Sequence, residues 1–237
     1  MVFARNAAMG FNRYIDRNID SDNPRTAVRE IPSGKISPLS ALLFVIINSL
    51  LFVATTYFIN SICFWLSPVA LLVILGYSLT KRFTSLCHFV LGIGLSLAPI
   101  GAFLSVTGYF SLLPLLFSLI VILWVSGFDV IYALQDEEYD KSKKLNSIPA
   151  LLGKNNALKL SVILHISCAV VLLIAGIYGN FNFFYWIGAV VFIGLLFYQH
   201  TIVKPNDLSK VNIAFFTTNG IASVIFCAFV LIDLLFS

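Results

Sequence analysis

Residues 83–128 read FTSLCHFVLGIGLSLAPIGAFLSVTGYFSLLPLLFSLIVILWVSGF, without one Asp, Glu, Lys or Arg; the next residue is Asp129. A charge-free run of about 45 residues holds two membrane-crossing helices of about 20 residues and a tight turn. Thr107-Gly108 marks that turn. Two other runs repeat the pattern: 36–80, interrupted by Asn60-Ser61, and 160–203, interrupted by Gly179-Asn180. Residues 211–232 supply one further span. The predicted helices are 39–59, 62–79, 86–106, 110–134, 157–178, 182–203 and 211–235. The chain as a whole agrees: of 237 residues 59% are hydrophobic and 11% charged, with mean hydropathy +0.94. No soluble domain of this size hides that much apolar surface in its core. The expected fold is an all-α, polytopic membrane bundle with seven full spans and an N-terminal partial helix. Its partner is the lipid bilayer, and no nucleic acid is implied.

The basic residues give the orientation. All 15 Lys and Arg lie on one side of the spans or in the helix leading to it; the alternate turns hold none. The positive-inside rule makes that face cytoplasmic, in the cell (inner) membrane, with the C-terminus outside. Residues 1–20 read as the end of a helix descending to that face. They are too short and polar to span alone and lack a signal-peptide core. Cys63, Cys87, Cys168 and Cys227, like His88, His165 and His200, are isolated in apolar sequence, without metal-ligand spacing. They read as packing residues.

Two acidic repeats stand at the same face. In the first, Asn12, Asp16 and Asp20 recur every four residues, so one helix face carries them. Asp20 and Asp22 fall near a helix C-terminus, where the helix dipole disfavours anions unless a cation compensates. In the second, Asp129, Tyr132, Asp136 and Asp140 are spaced three, four and four, a stripe about 80° wide on a helix. Asp129 directly follows the apolar run, and an ionisable group there is a functional candidate. Glu137 and Glu138 read as solvated loop. Hard oxygen ligands favour Mg²⁺, commonly shared with substrate phosphates. Arg25, Arg29 and Lys35 follow the first repeat and Lys141, Lys143 and Lys144 the second. Tyr77-x-x-x-Lys81-Arg82 closes another helix on that side. Carboxylates for a metal together with Arg and Lys clamps suit a diphosphate leaving group.

The stretch from Asn12 through Asp16, Asp20, Arg25 and Arg29 to Pro32-Ser-Gly34-Lys35 resembles the first motif of the UbiA family of intramembrane aromatic prenyltransferases. Asp129-Val-Ile-Tyr132-Ala-Leu-Gln-Asp136-Glu-Glu-Tyr-Asp140, followed by Asn146-Ser147-Ile-Pro, is similar to its second aspartate motif. Tyr77-Ser-Leu-Thr-Lys81-Arg82 is similar to its Tyr-x-x-x-Lys-Arg segment. The likeness covers residues 1–237 as one domain. The resemblance implies nine spans as the family's usual number, against which the expectation here is a domain lacking the first helix and the start of the second.

The resemblance implies Mg²⁺ held by Asp16, Asp20, Asp136 and Asp140. It implies transfer of a polyprenyl group from polyprenyl diphosphate to an aromatic acid such as 4-hydroxybenzoate, in ubiquinone or menaquinone biosynthesis. Lys81, Arg82 and Arg29 are candidates for neutralising the diphosphate, and Asp129 for taking the ring proton. Asn12, Arg25, Tyr77, Tyr132 and Lys144 are candidate substrate contacts, and Arg5 the partner of an acceptor carboxylate. Arg13 departs from the family, in which many members carry Asp after the Asn. Three other readings fit parts of the pattern. A transporter with carboxylate ion-coupling sites requires acids near the bilayer midplane. A CDP-alcohol phosphatidyltransferase requires a compact Asp-Gly-x-x-Ala-Arg signature, which this sequence lacks. An inactive, truncated family member is the third.

Overall fold

A computed structural model describes residues 1–236. Among them the chain is helical, without a β-sheet. A first helix, α1 (Val2–Ile15), ends at Asp16, and a single further turn and a half, α2 (Arg17–Asp22), follows it. The next helices are α3 (Pro38–Ile59), α4 (Ser61–Thr80), α5 (Cys87–Thr107) and α6 (Leu112–Ala133). A 3₁₀ turn (Leu134–Asp136) and the short α7 (Glu137–Ser142) extend α6. Then come α8 (Ile148–Tyr178), α9 (Phe183–Ile202), a π-helical segment (Ile213–Thr218) and α10 (Asn219–Leu235). All seven expected spans are present as helices long and apolar enough to cross a membrane.

Local chemistry explains the boundaries. Ser37 caps α3 by accepting from the Ser40 N–H, with Pro38 at the first helical position. Asn60 caps α4 through the Cys63 N–H and donates to the Leu104 carbonyl, tying two turns together. Gly108 ends α5 in the left-handed conformation (φ 71°). The eighth helix begins nine residues earlier than the expected 157. Ser147 caps it on the Ala150 N–H, and it is interrupted at Gly153 (φ 76°, ψ 163°), so Ile148–Leu152 forms a separate short helix. Lys154, Asn155 and Asn156 are polar, and at the solvated end of a span helix tolerates them.

The helices pack in an arc in which α1 leans on α3 and α4, α4 on α5, α5 on α6, α6 on α8, α8 on α9, and α9 on α10. Small residues let α5 and α6 approach closely. A Cβ on Gly92 would lie 2.8 Å from the Ile122 carbonyl. Ser118 and Ser126 donate across this interface to the backbone carbonyls of Ser96 and His88, the kind of polar contact that joins helices in lipid. One apolar cluster gathers Ile120, Leu172, Tyr185, Phe192 and Leu196. A second gathers Val130, Ile131, Leu134, Ile148 and Val211, the first three of them within the second acidic motif. Large apolar side chains such as Phe58, Leu72 and Val106 remain exposed around the bundle, as a lipid-facing surface requires.

Candidate active site

The end of α1, the C-terminal end of α4, the N-terminal end of α5 and the C-terminal end of α6 meet at one face of the bundle around a cavity of about 240 Å³. Asn12, Asp16, Asp20, Arg25, Arg29, Tyr77, Lys81, Asp129, Tyr132, Asp136 and Asp140 all line it. Thus three segments far apart in sequence converge, and every acid of both repeats does so at one end of the bundle, unlike the midplane placement of a transporter.

Neither repeat lies on one uninterrupted helix. Asp16 (φ −89°, ψ 6°) separates α1 from α2, and Asp136 (φ −100°, ψ 3°) separates the 3₁₀ turn from α7. Both sit in the sparsely populated bridge region that often hosts active-site residues. Four-residue spacing alone does not anticipate this break, because the sequence periodicity survives it.

Four of the aspartates are each matched to a basic side chain of this chain. Arg82 Nη2 lies 3.1 Å from Asp16 Oδ1 and 2.8 Å from the Ile15 carbonyl. Arg29 Nη1 donates to both oxygens of Asp20, at 2.7 and 2.8 Å. Arg25 holds Asp136 with two guanidinium nitrogens, Nε at 3.1 Å, and donates from the third to the Tyr132 hydroxyl at 3.0 Å. Lys81 Nζ lies 3.2 Å from Asp140 Oδ1. Burial pushes the Asp16 carboxyl above the ordinary range, outweighing the opposing Arg82 and Lys81. Burial alone would lower the Lys81 ammonium, but Asp140 beside it holds it above the usual lysine value. Asp129 is different: its Oδ2 lies 2.7 Å from Nδ1 of His88.

Some residues fall elsewhere. Arg5 is exposed and outside the cavity lining, although seven residues before Asn12 it shares that helix face. Lys144 borders a separate hollow with Ser85, Lys141 and Asn146, so the structure does not bring it to the aspartates. Arg82 reaches Asp16 from outside the lining. Glu137, expected to be solvated, is buried and pairs with Lys141 at 2.6 Å; the twist of α7 turns it inward while Glu138 stays exposed. Sequence reasoning missed His88, Asn23 and Tyr139. Asn23 donates to Asp136, and the Tyr139 hydroxyl to the Ile19 carbonyl at 2.7 Å. Asn23 and Tyr139 stand at the same apolar-to-polar boundary as the repeats, which is the one signal that pointed to them, whereas His88 lies inside an apolar run.

The family model described as the UbiA prenyltransferase family matches residues 1–221. This chain belongs to that family. It is therefore a prenyltransferase by class. It is 29% identical over 227 residues to a 4-hydroxybenzoate octaprenyltransferase of Tolumonas auensis, covering 96% of this chain and 79% of that protein. One of Coxiella burnetii is 28% identical over 230 residues, covering 97% and 80%. Among solved structures, the apo form of a UbiA homolog from Aeropyrum pernix K1 superposes with TM-score 0.91 at 29% identity, covering 98% of this chain and 86% of that one. A UbiA homolog from Archaeoglobus fulgidus bound to GPP and Mg²⁺ shares the fold, with TM-score 0.69 at 21% identity over 96% of this chain and 82% of that one.

The donor set of the UbiA-type cavity suits a hard divalent cation. Its acids offer only oxygen, in two pairs from two helical segments, and Asp140 Oδ1 is buried with the Lys81 ammonium, 3.2 Å away, as its counter-charge. Among the described residues no three acids, histidines or cysteines are close enough to hold an ion alone. A cation here must share water and substrate oxygens, which is how Mg²⁺ binds with phosphates.

Proposed function

We propose that this chain transfers a polyprenyl group from polyprenyl diphosphate to an aromatic acid such as 4-hydroxybenzoate, with Mg²⁺, in quinone (ubiquinone or menaquinone) biosynthesis. The observation that carries this reading is the one cavity lined by Asp16, Asp20, Asp136 and Asp140, which are paired with Arg82, Arg29, Arg25 and Lys81. Bound there, Mg²⁺ supplies positive charge to the diphosphate. The four basic groups exchange carboxylate partners for diphosphate oxygens and stabilise the charge that grows as the allylic C–O bond breaks. Asn12 and Asn23 orient Asp16 and Asp136. Tyr132, stacked on Phe215 with ring centroids 4.1 Å apart, holds Arg25 in place. Asp129 accepts the ring proton of the acceptor. The apolar interior excludes water from the allylic cation. The basic face is cytoplasmic, and Arg5, on the Asn12 face of α1 but outside the cavity lining, meets an acceptor carboxylate that projects beyond that lining.

The test is a membrane prenylation assay with Mg²⁺, a polyprenyl diphosphate and 4-hydroxybenzoate, run beside Asp16→Asn. Prenylated product from the unaltered chain alone is expected. Product from both, or from neither with any aromatic acid, overturns the reading.

A further inference from the structure

Five aspartates line the cavity, and four of them face Arg or Lys. Asp129 alone faces an imidazole. His88, 3% exposed, stands in the first turn of α5. Its Nε2 accepts the backbone N–H of Ile148 at 3.3 Å, which leaves Nδ1 as the protonated nitrogen. Nδ1–H then donates to Asp129 Oδ2 at 2.7 Å. The ring is thereby fixed between the start of α8 and the carboxylate. The close approach of α5 and α6 at Gly92, together with the Ser126 hydroxyl on the His88 carbonyl, sets its reach.

The difference in partner has a chemical consequence. A carboxylate neutralised by a guanidinium or ammonium is a poor proton acceptor. One oriented by a neutral donor keeps its net negative charge. Asp129 lines the cavity with its side chain 21% exposed, so it meets whatever ring lies there.

We propose that His88 is a positioning residue that holds Asp129, through a neutral Nδ1–H donor, as the acceptor of the ring proton. The proposal rests on the prenyl-transfer reading. In that reaction the allylic C–O bond breaks and its electron pair leaves with the diphosphate. A ring π pair forms the new C–C bond. The C–H bond at the same ring carbon then breaks, its electrons restore aromaticity, and the proton passes to Asp129.

Two substitutions separate this role from a structural one. The amide nitrogen of Asn overlays Nδ1, so His88→Asn keeps a donor for Asp129 and loses the acceptor for Ile148. The amide oxygen of Gln overlays Nε2, so His88→Gln keeps the acceptor and loses the donor. Both are assayed in membranes with 4-hydroxybenzoate carrying hydrogen or deuterium beside its hydroxyl. His88→Gln is expected to lower kcat at least about tenfold with KM unchanged, and to raise the deuterium isotope effect on kcat. His88→Asn is expected to keep kcat within about threefold, with a lower melting temperature. A His88→Gln enzyme with wild-type kcat and isotope effect overturns the proposal, as does His88→Asn proving the slower of the two. If the unaltered chain prenylates no aromatic acid, the underlying reading fails instead, and the two failures are told apart.

Discussion

The two aspartate segments look alike in sequence and bend alike in space, yet they are held by different forces. The second rides on α6, whose neighbours Val130, Ile131 and Leu134 are at most 1% exposed. Its position is set by apolar packing between α5 and α8. The first hangs from α1, where Ala7 is the buried residue. It is fastened to the second by polar links: Arg25 and Asn23 to Asp136, Lys143 to Asp22, and Tyr139 to the Ile19 carbonyl. One half of the site is thus part of the bundle, and the other half is clamped to it by charge. Packed cores have a single arrangement, whereas ion pairs at the surface, such as Lys143 with Asp22, exchange partners at little cost. That asymmetry suits a site whose basic groups must move from carboxylate to diphosphate.

Four experiments test whether the two segments are held by different forces. The largest effect is expected from the acids themselves: Asp16→Asn and Asp136→Asn should each lower kcat/KM about 10³-fold. Equal losses mean that the two segments serve one centre; a loss from one segment only would separate them. Next, Arg25→Gln unfastens the first segment. It should raise KM for the diphosphate about 10- to 100-fold, while Mn²⁺, titrated without diphosphate and followed by electron paramagnetic resonance, binds more tightly because Asp136 is released. Weaker Mn²⁺ binding would contradict the exchange of partners. Arg5→Ala should raise KM for the carboxylated acceptor about tenfold, the value of one charge-assisted hydrogen bond, and leave diphosphate binding unchanged. Unchanged acceptor kinetics would remove Arg5 from the site. The smallest effect is dynamic. At about 1 M salt, where exposed pairs are screened, amides of residues 16–30 should exchange faster while those of residues 120–131 do not.

Much of this was legible in the chain. The spans follow from runs without charge, since lipid rejects charge wherever it occurs along a helix. The two acidic repeats could be singled out because acids at an apolar boundary demand a counter-charge, while the choice of Asp16, Asp20, Asp136 and Asp140 within them came from the family resemblance. His88 was passed over because a lone histidine in an apolar run carries no sign of its partner, and Asp129 lies 41 residues away. Arg25 and Arg29 were visible as basic residues, but not as partners of Asp136 and Asp20. Cytoplasmic basic residues look the same whether they mark topology or clamp a site. The early start of α8 and the π-helical segment at Ile213–Thr218 escaped for another reason. Their backbone follows from neighbours such as Asn219, whose side chain bonds the Ala214 and Phe215 carbonyls.

A bundle of membrane-crossing helices with two acidic repeats at the apolar boundary follows from the amino-acid order alone. Hydrophobic length and charge placement act locally and need no tertiary partner. Which cation answers which carboxylate, and that an imidazole answers Asp129 instead, depends on the tertiary structure alone. Those pairings arise where helices distant in the chain meet. At such distances, contact is fixed by the packing of the bundle and not by spacing along it.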